Sequence, residues 1–462
     1  MPTRRSADLD YHLVLLDRDG AERSEADGTK LSHALSDLAA EGVTDIFLAS
    51  HGWQGDIPAA IAQYDAWTAV MTTQEVDRDA ARAAVPEFTP LVIGVHWPSL
   101  PWGKEEVAQA VLGETDDPLV AERALSDAEI VDRYAARLNN SSTSRACLTE
   151  IIALADDPRI GSALLAGTLP DRLDSAYQAL FHESGLATAG AHAPPGDDQD
   201  RFAPLAITEA WDTELSGGSV DIPGLLGSGT AASVRDLVLA PVRQLSFWAM
   251  KHRARLVGER GVHDMVRVLQ ERAPDARIHL MGHSFGCIVV TAAVAGPQRH
   301  GGFPHRLPRP VETLFLVQGA MSLWSFAEQI PFAEHPCGFY RPLCCDPRAV
   351  AGPIVVTHSA HDRALGTFFP LGAGFGAELT LGYEHLPQFG ATGTYGAHGA
   401  EPTVAHRILD STAQYRFEPG TLYNIEADAV IRHGAGPAGA HSDIAHPEVA
   451  HLFWQAALAS MV

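Results

Sequence analysis

Residues 279–290 read HLMGHSFGCIVV: an apolar run, then Gly282-His283-Ser284-Phe285-Gly286, then a second apolar run. The preceding ARIHLM (276–281) has the length and composition of a buried strand, and FGCIVVTAAVA (285–295) reads as a helix stopped by Gly296 and Pro297. Together they make a G-x-S-x-G pattern set at a strand-to-helix turn. Such a turn strains the serine backbone, so the residues two positions away on either side must lack bulky side chains. The helix beyond offers N–H groups and the positive end of its dipole next to the hydroxyl, where developing negative charge could rest.

Working outward, YHLVLLD (11–17), TDIFLAS (44–50), LVIGVHWPS (91–99), VETLFLVQG (311–319), GPIVVTHS (352–359) and TLYNIEA (421–427) read as further strands, several apolar throughout and therefore buried on both faces. Helical periodicity separates them. Ile57, Ile61, Tyr64 and Met71 recur on one helix face, with Pro58 tolerated in its first turn. Leu237, Leu245, Trp248 and Leu256 form a second series, and Val262, Met265, Val266 and Leu269 a third, with Gly258 and Gly261 expected to break the chain into two helices. A last helix over about 447–460 carries Val449, Leu452, Trp454 and Leu458. Strands alternating with helices predict an α/β fold with a mostly parallel, twisted sheet and helices on both faces. The block 104–232, typified by AERALSDAEIVDRYAARL, lacks strand signals and reads as a helical insertion, with GAHAPPGDDQD (190–200) as a flexible break. The Gly- and aromatic-rich stretch 368–400 reads as a long ordered loop.

Composition narrows the function. With 46% hydrophobic and 19% charged residues in 462, the chain can bury a large core. A formal charge of −24 argues against nucleic acid and anionic membrane surfaces as partners, because both need clustered Lys and Arg. No run of about 18 apolar residues predicts a spanning helix. The start has no apolar core of signal-peptide length, and five cysteines (Cys147, Cys287, Cys337, Cys344, Cys345) suit a reducing compartment, so a soluble cytoplasmic protein is expected.

A serine hydroxyl needs a base to react, and the base needs an orienting acid. Asp362 follows the strand GPIVVTHS, and His441 lies in a Gly-rich loop between TLYNIEA and the last helix, so the chain order is Ser, acid, His. Asp346, Glu328 and Glu334 are rival acids; His446, His433 and His398 are rival bases. His446 precedes Pro447 and suits a helix entrance, while Ser442 and Asp443 suit caps. Gly434 to Gly439 fits G-x-G-x-x-G, but Pro437 interrupts it and no βαβ unit follows, which excludes a dinucleotide site. Cys337, Cys344 and Cys345 near His335 lack the spacing of a zinc site, so no metal is expected.

HGW (51–53), GHSFG (282–286), THSAHD (357–362) and GAHSDI (439–444) make the chain resemble the α/β-hydrolase superfamily, most closely its lipase- and esterase-like members. The resemblance implies a core of 1–103 and 233–462, with 104–232 as a cap or lid. It implies a Ser284–Asp362–His441 triad and an oxyanion hole formed by the N–H groups of Trp53 and Phe285. His51, Gly52, His283, Trp97 and Trp102 become candidates for the substrate pocket, while Phe368, Phe369 and Phe375 either line an acyl pocket or anchor the long loop. The implied reaction is hydrolysis of a carboxylic ester through an acyl-enzyme, with no cofactor. A thioesterase, an amidase or peptidase, a cofactor-free perhydrolase, and a non-catalytic interaction protein on the same fold are the alternatives.

Overall fold

The computed structural model describes residues 3–6, 9–25, 28–52, 57–99, 126–186, 202–209, 234–297, 306–331, 337–369, 386–387, 389–434 and 439–461, with backbone alone at 3–6, 345, 367 and 368. One nine-stranded sheet runs through the molecule. Its strands are β1 (Thr3–Ser6), β2 (Leu9–Leu15), β3 (Asp45–Ser50), β4 (Pro90–His96), β5 (Arg277–His283), β6 (Thr313–Val317), β7 (Ile354–His358), β8 (Thr403–Arg407) and β9 (Leu422–Glu426). Their spatial order is β1-β2-β4-β3-β5-β6-β7-β9-β8. Eight strands are mutually parallel, and β1 pairs antiparallel with β2 at one edge. The α/β class expected from the alternating pattern is therefore observed.

The apolar runs explain the two-sided burial. Successive side chains of a strand point to opposite faces, so Ile46 and Leu48 enter one core while Phe47 enters the other; Leu314 and Leu316 likewise oppose Phe315 and Val317. One face is covered by α2 (Ile57–Thr72), α3 (Glu75–Ala84) and the terminal helix α11 (Pro447–Leu458). The other is covered by α1 (Leu31–Ala39), α8 (Val234–Val257), α9 (His263–Arg272) and α10 (Gly286–Ala295). All ten residues of α10 are buried, as expected for a helix apolar on every side.

Within the block between β4 and α8 lie α4 (Asp127–Arg137), α5 (Ser142–Ala155), α6 (Pro158–Leu165) and α7 (Asp171–Glu183). Their apolar faces share one core with Leu237, Val238 and Trp248 of α8, and the Tyr177 hydroxyl donates to the Val238 carbonyl at 2.5 Å. Residues 100–125, 187–201 and 210–233, which include the 190–200 break, lie outside the described residues.

Two sequence expectations change. Gly258 and Gly261 do not end a helix: Gly258–Val262 forms a π-helical segment joining α8 directly to α9. A Cβ at Gly258 would overlap the Val289 carbonyl of α10, and one at Gly261 would overlap the Gly20 carbonyl, so these glycines serve close approach rather than termination. The short strands β1 and β8 escaped the sequence reading; β8 (TVAHR) is polar and largely exposed, with no apolar alternation to mark it. Among the described residues no helix is long and apolar enough to cross a membrane.

A buried ion pair ties α3 to α11. His451 presents Nδ1 to Asp77 Oδ2 at 2.6 Å and Nε2 to the Ala413 carbonyl at 2.7 Å. Both partners accept, so satisfying both requires the doubly protonated, cationic ring. Burial opposes that charge, but the Asp77 carboxylate outweighs it and the His451 pKa is raised. The folded state thus binds this proton more tightly than the unfolded chain. The stabilisation is complete below the usual imidazole pKa and is lost as pH rises through the folded value. Urea unfolding should show Asp77→Asn destabilised by about 3 kcal/mol at mildly acidic pH, with the gap from wild type narrowing as pH rises; a gap independent of pH would contradict the pairing.

Candidate active site

The strand ends assemble the site. In a parallel sheet, groups converge at the carboxyl edge, at the point where neighbouring strands send their connections to opposite faces. That point here lies between β3 and β5: α2 follows β3 on one face, and α10 follows β5 on the other. Gly52 follows β3 and Ser284 follows β5. Gln318, Asp362 and His441 follow β6, β7 and β9.

Ser284 occupies left-handed backbone at φ 57°, a strained state for a residue with a side chain. The turn is closed by hydrogen bonds from Ser284 N–H to the Val317 carbonyl at 3.1 Å and from Cys287 N–H to the Ser284 carbonyl at 3.1 Å. Gly286 is required because a Cβ there would overlap the Ser50 and His51 carbonyls at the end of β3. Gly52 is required for a related reason: its Cβ would run into the Ser284 side chain. The glycine of the β3 loop therefore lies directly against the serine.

His441 Nε2 stands 2.8 Å from Ser284 Oγ, and its Nδ1 stands 2.7 Å from Asp362 Oδ2. The carboxylate fixes the proton on Nδ1, leaving the Nε2 lone pair toward the hydroxyl. Asp362 is fully buried, and both of its oxygens accept hydrogen bonds: Gln318 Nε2 donates to Oδ2 at 3.0 Å and Leu365 N–H to Oδ1 at 3.0 Å. Gln318 is itself held in left-handed backbone at φ 46°, with its Nε2 also donating to the Gly393 carbonyl at 3.1 Å. A hydroxyl, an imidazole and a buried carboxylate are thus hydrogen-bonded in series.

The other candidates sort clearly. His51 and Trp97 are buried and stacked, with ring planes 4° apart. His51 Nδ1 donates to the Gly52 carbonyl at 2.7 Å, and Ser99 Oγ donates to the same oxygen at 2.9 Å. The main-chain N–H of His51 donates to the Tyr64 hydroxyl at 2.8 Å. Burial and the neighbouring His96 push the His51 pKa down to about 3, so this ring is neutral. His51 and Trp97 therefore brace the Gly52 loop from beneath. Phe285 is the N-cap of α10 and packs on Phe247, which also meets Phe369 edge-on at 5.6 Å. Trp53, Trp102, Glu334, His335 and Phe375 lie outside the described residues, as does the side chain of Phe368.

Among the described residues the rival acids and bases are engaged elsewhere. Asp346 receives Arg348 and Arg306, and Glu328 pairs with Arg341. His446 bonds Asp443 Oδ1 at 2.8 Å at the entrance to α11, and His398 Nε2 donates to the Tyr395 carbonyl at 2.8 Å. Asp443 receives the N–H groups of Arg432 and His433, so it staples the preceding loop rather than capping a helix. Among the described residues no group of His, Cys, Asp and Glu side chains could hold a metal ion.

Sequence reasoning missed Gln318, Ser99 and Gln63. Each acts through a side-chain bond to a residue distant in the chain, and only its position just past a strand end, or in the helix after HGW, could have drawn notice. No family model, curated protein or solved structure matches this chain.

Gly52→Ala tests the close approach of the β3 loop to the serine. The added methyl should cost about 1–3 kcal/mol in urea unfolding, because it meets the Ser284 side chain and the His283 carbonyl. A variant as stable as wild type would mean that the loop is not seated on the serine.

Proposed function

We propose that the protein is a serine hydrolase of the α/β-hydrolase fold that cleaves carboxylic esters through an acyl-enzyme. The observation that carries this reading is the Ser284–His441–Asp362 series, 2.8 and 2.7 Å in its two links, on a strained turn at the switch point of the sheet. Ser284 Oγ attacks the ester carbonyl carbon as its proton passes to His441 Nε2. The tetrahedral oxyanion would be received by the N–H groups of Phe285 and Trp53, at the N-terminal end of α10 and beyond the braced Gly52. The intermediate then collapses, the C–O bond to the alcohol breaks, and His441 returns the proton to the departing alkoxide. Water, deprotonated by the same imidazole, attacks the acyl-enzyme and frees the acid and Ser284.

Asp362 keeps its negative charge throughout, holding the Nδ1–H tautomer and balancing the imidazolium. Gln318 and the Leu365 N–H support that charge in a buried place, where an unpaired carboxylate would be costly. The helices α4–α7, which leave the core after β4 at the same sheet edge and return at α8, are read as the cap. Arg253 of α8 donates to the Pro98 carbonyl at 2.9 Å and to the Arg137 carbonyl at 3.0 Å, fastening this block to the strand end beside the site.

Wild type and Ser284→Ala should be compared on p-nitrophenyl esters, acyl-CoA thioesters and aminoacyl amides. Wild type is expected to hydrolyse the esters fastest, and Ser284→Ala to lose about 10⁴-fold or more in kcat. Equal turnover by both proteins would remove the nucleophile assignment. Thioester or amide turnover exceeding that of the esters would change the substrate class while keeping the mechanism.

A further inference from the structure

The residue before the serine has bonding that the hydrolytic mechanism leaves unused. His283 is buried, its side chain 3% exposed, and its ring lies 5.0 Å from the ring of His441. Its Nε2 is 2.9 Å from the main-chain carbonyl of His441, and its Nδ1 is 2.7 Å from Gln63 Nε2 on α2. The carbonyl can only accept, so Nε2 carries the hydrogen. A neutral ring then has its lone pair on Nδ1, and Gln63 must turn its amide N–H toward it. The three groups therefore admit one arrangement of hydrogens, Gln63 to His283 to His441. Burial, with the His441 and His51 imidazoles close by to disfavour a further positive charge, pushes the His283 pKa down to about 3, which keeps this arrangement near neutral pH.

We propose that His283 and Gln63 are positioning residues that clamp His441 by its backbone, fixing the imidazole over Ser284 while Asp362 fixes its ring. His441 sits two residues past Gly439 in a loop, not on a strand or helix, and its ring is bonded to Asp362 at Nδ1 and to the nucleophile, Ser284 Oγ, at Nε2. While the serine oxygen is acylated the second bond is lost, and a ring pinned at Nδ1 can swing about the bond that remains. The hydrogen bond from His283 to the carbonyl of the same residue supplies the second fixed point, and it originates one residue from the nucleophile. Base and nucleophile are thereby referenced to the same turn. The clamp rests on the proposed hydrolytic reading for its effect on rate, but not for its existence.

The test uses the full-length protein and three variants. His283→Leu removes the donor to His441, Gln63→Leu removes the group that fixes the ring, and His283→Gln keeps an N–H at the place of Nε2. On a p-nitrophenyl ester, His283→Leu is expected to lose about 10- to 100-fold in kcat with KM little changed, since misplacing the base by a fraction of an ångström weakens the transition state. Gln63→Leu should lose less, and His283→Gln should recover most of the His283→Leu loss. Imidazole ¹⁵N NMR provides a readout independent of turnover: wild type should show His283 as the Nε2–H tautomer, and His441 resonances should shift in His283→Leu and in Gln63→Leu. Unchanged His441 resonances in a folded His283→Leu, or in Gln63→Leu should the first fail to fold, would overturn the clamp. Loss of the hydrolytic reading would appear instead as ester turnover that survives Ser284→Ala, with the NMR result still deciding the clamp.

Discussion

The site depends on how closely one turn can approach the end of a neighbouring strand. At residues 282–286 the chain must leave β5, reverse through a left-handed serine and start α10 while its backbone lies against the Ser50 and His51 carbonyls. Only a residue without a side chain fits at 286, and only one without a side chain fits at 52, where the opposing loop touches the serine itself. Removing either freedom would separate β3 from β5 at their carboxyl ends. The helix N-terminus, the hydroxyl and the His51–Gly52 loop share one small volume because those contacts are so short.

Packing around the turn then determines which side chains can reach it. α10 is buried over its whole length and lies in close contact with the π-helical segment at Gly258–Val262, so any shift of the helix that carried the serine away would have to break that packing. The parallel sheet delivers Gln318, Asp362 and His441 from three successive strand positions to the same edge. Each arrives with its polar atoms already matched. Asp362 receives three hydrogen bonds, the Gly52 carbonyl receives two, and the His441 backbone receives one from His283. In a buried setting such hydrogen bonding is what makes charged and polar groups tolerable, and it also holds them in place.

Much of this was readable in the sequence because it rests on local rules. G-x-S-x-G between an apolar run and an apolar helix specifies a turn, and Asp362 and His441 could be assigned to strand ends by chain order alone. The parallel, two-faced sheet followed from runs such as TDIFLAS and VETLFLVQG, whose residues are apolar on both alternating sets. What escaped notice has a different physical origin. Gln318, Gln63 and Ser99 have meaning only through hydrogen bonds to residues between 44 and 220 positions away, and nothing in their immediate neighbours marks them. Gly258 and Gly261 misled because the same residue that ends helices also allows them to touch. Strands β1 and β8 are short edge elements whose pairing comes from their neighbours rather than from any pattern of their own.

The central claim is that Ser284 is chemically activated by His441, and covalent trapping measures this most directly. The protein would be incubated with a fluorophosphonate and the modified peptide located by mass spectrometry. The account requires a single adduct on Ser284, almost absent in His441→Ala. A folded protein that forms no adduct, carries it on another residue, or reacts equally fast without His441 would contradict it.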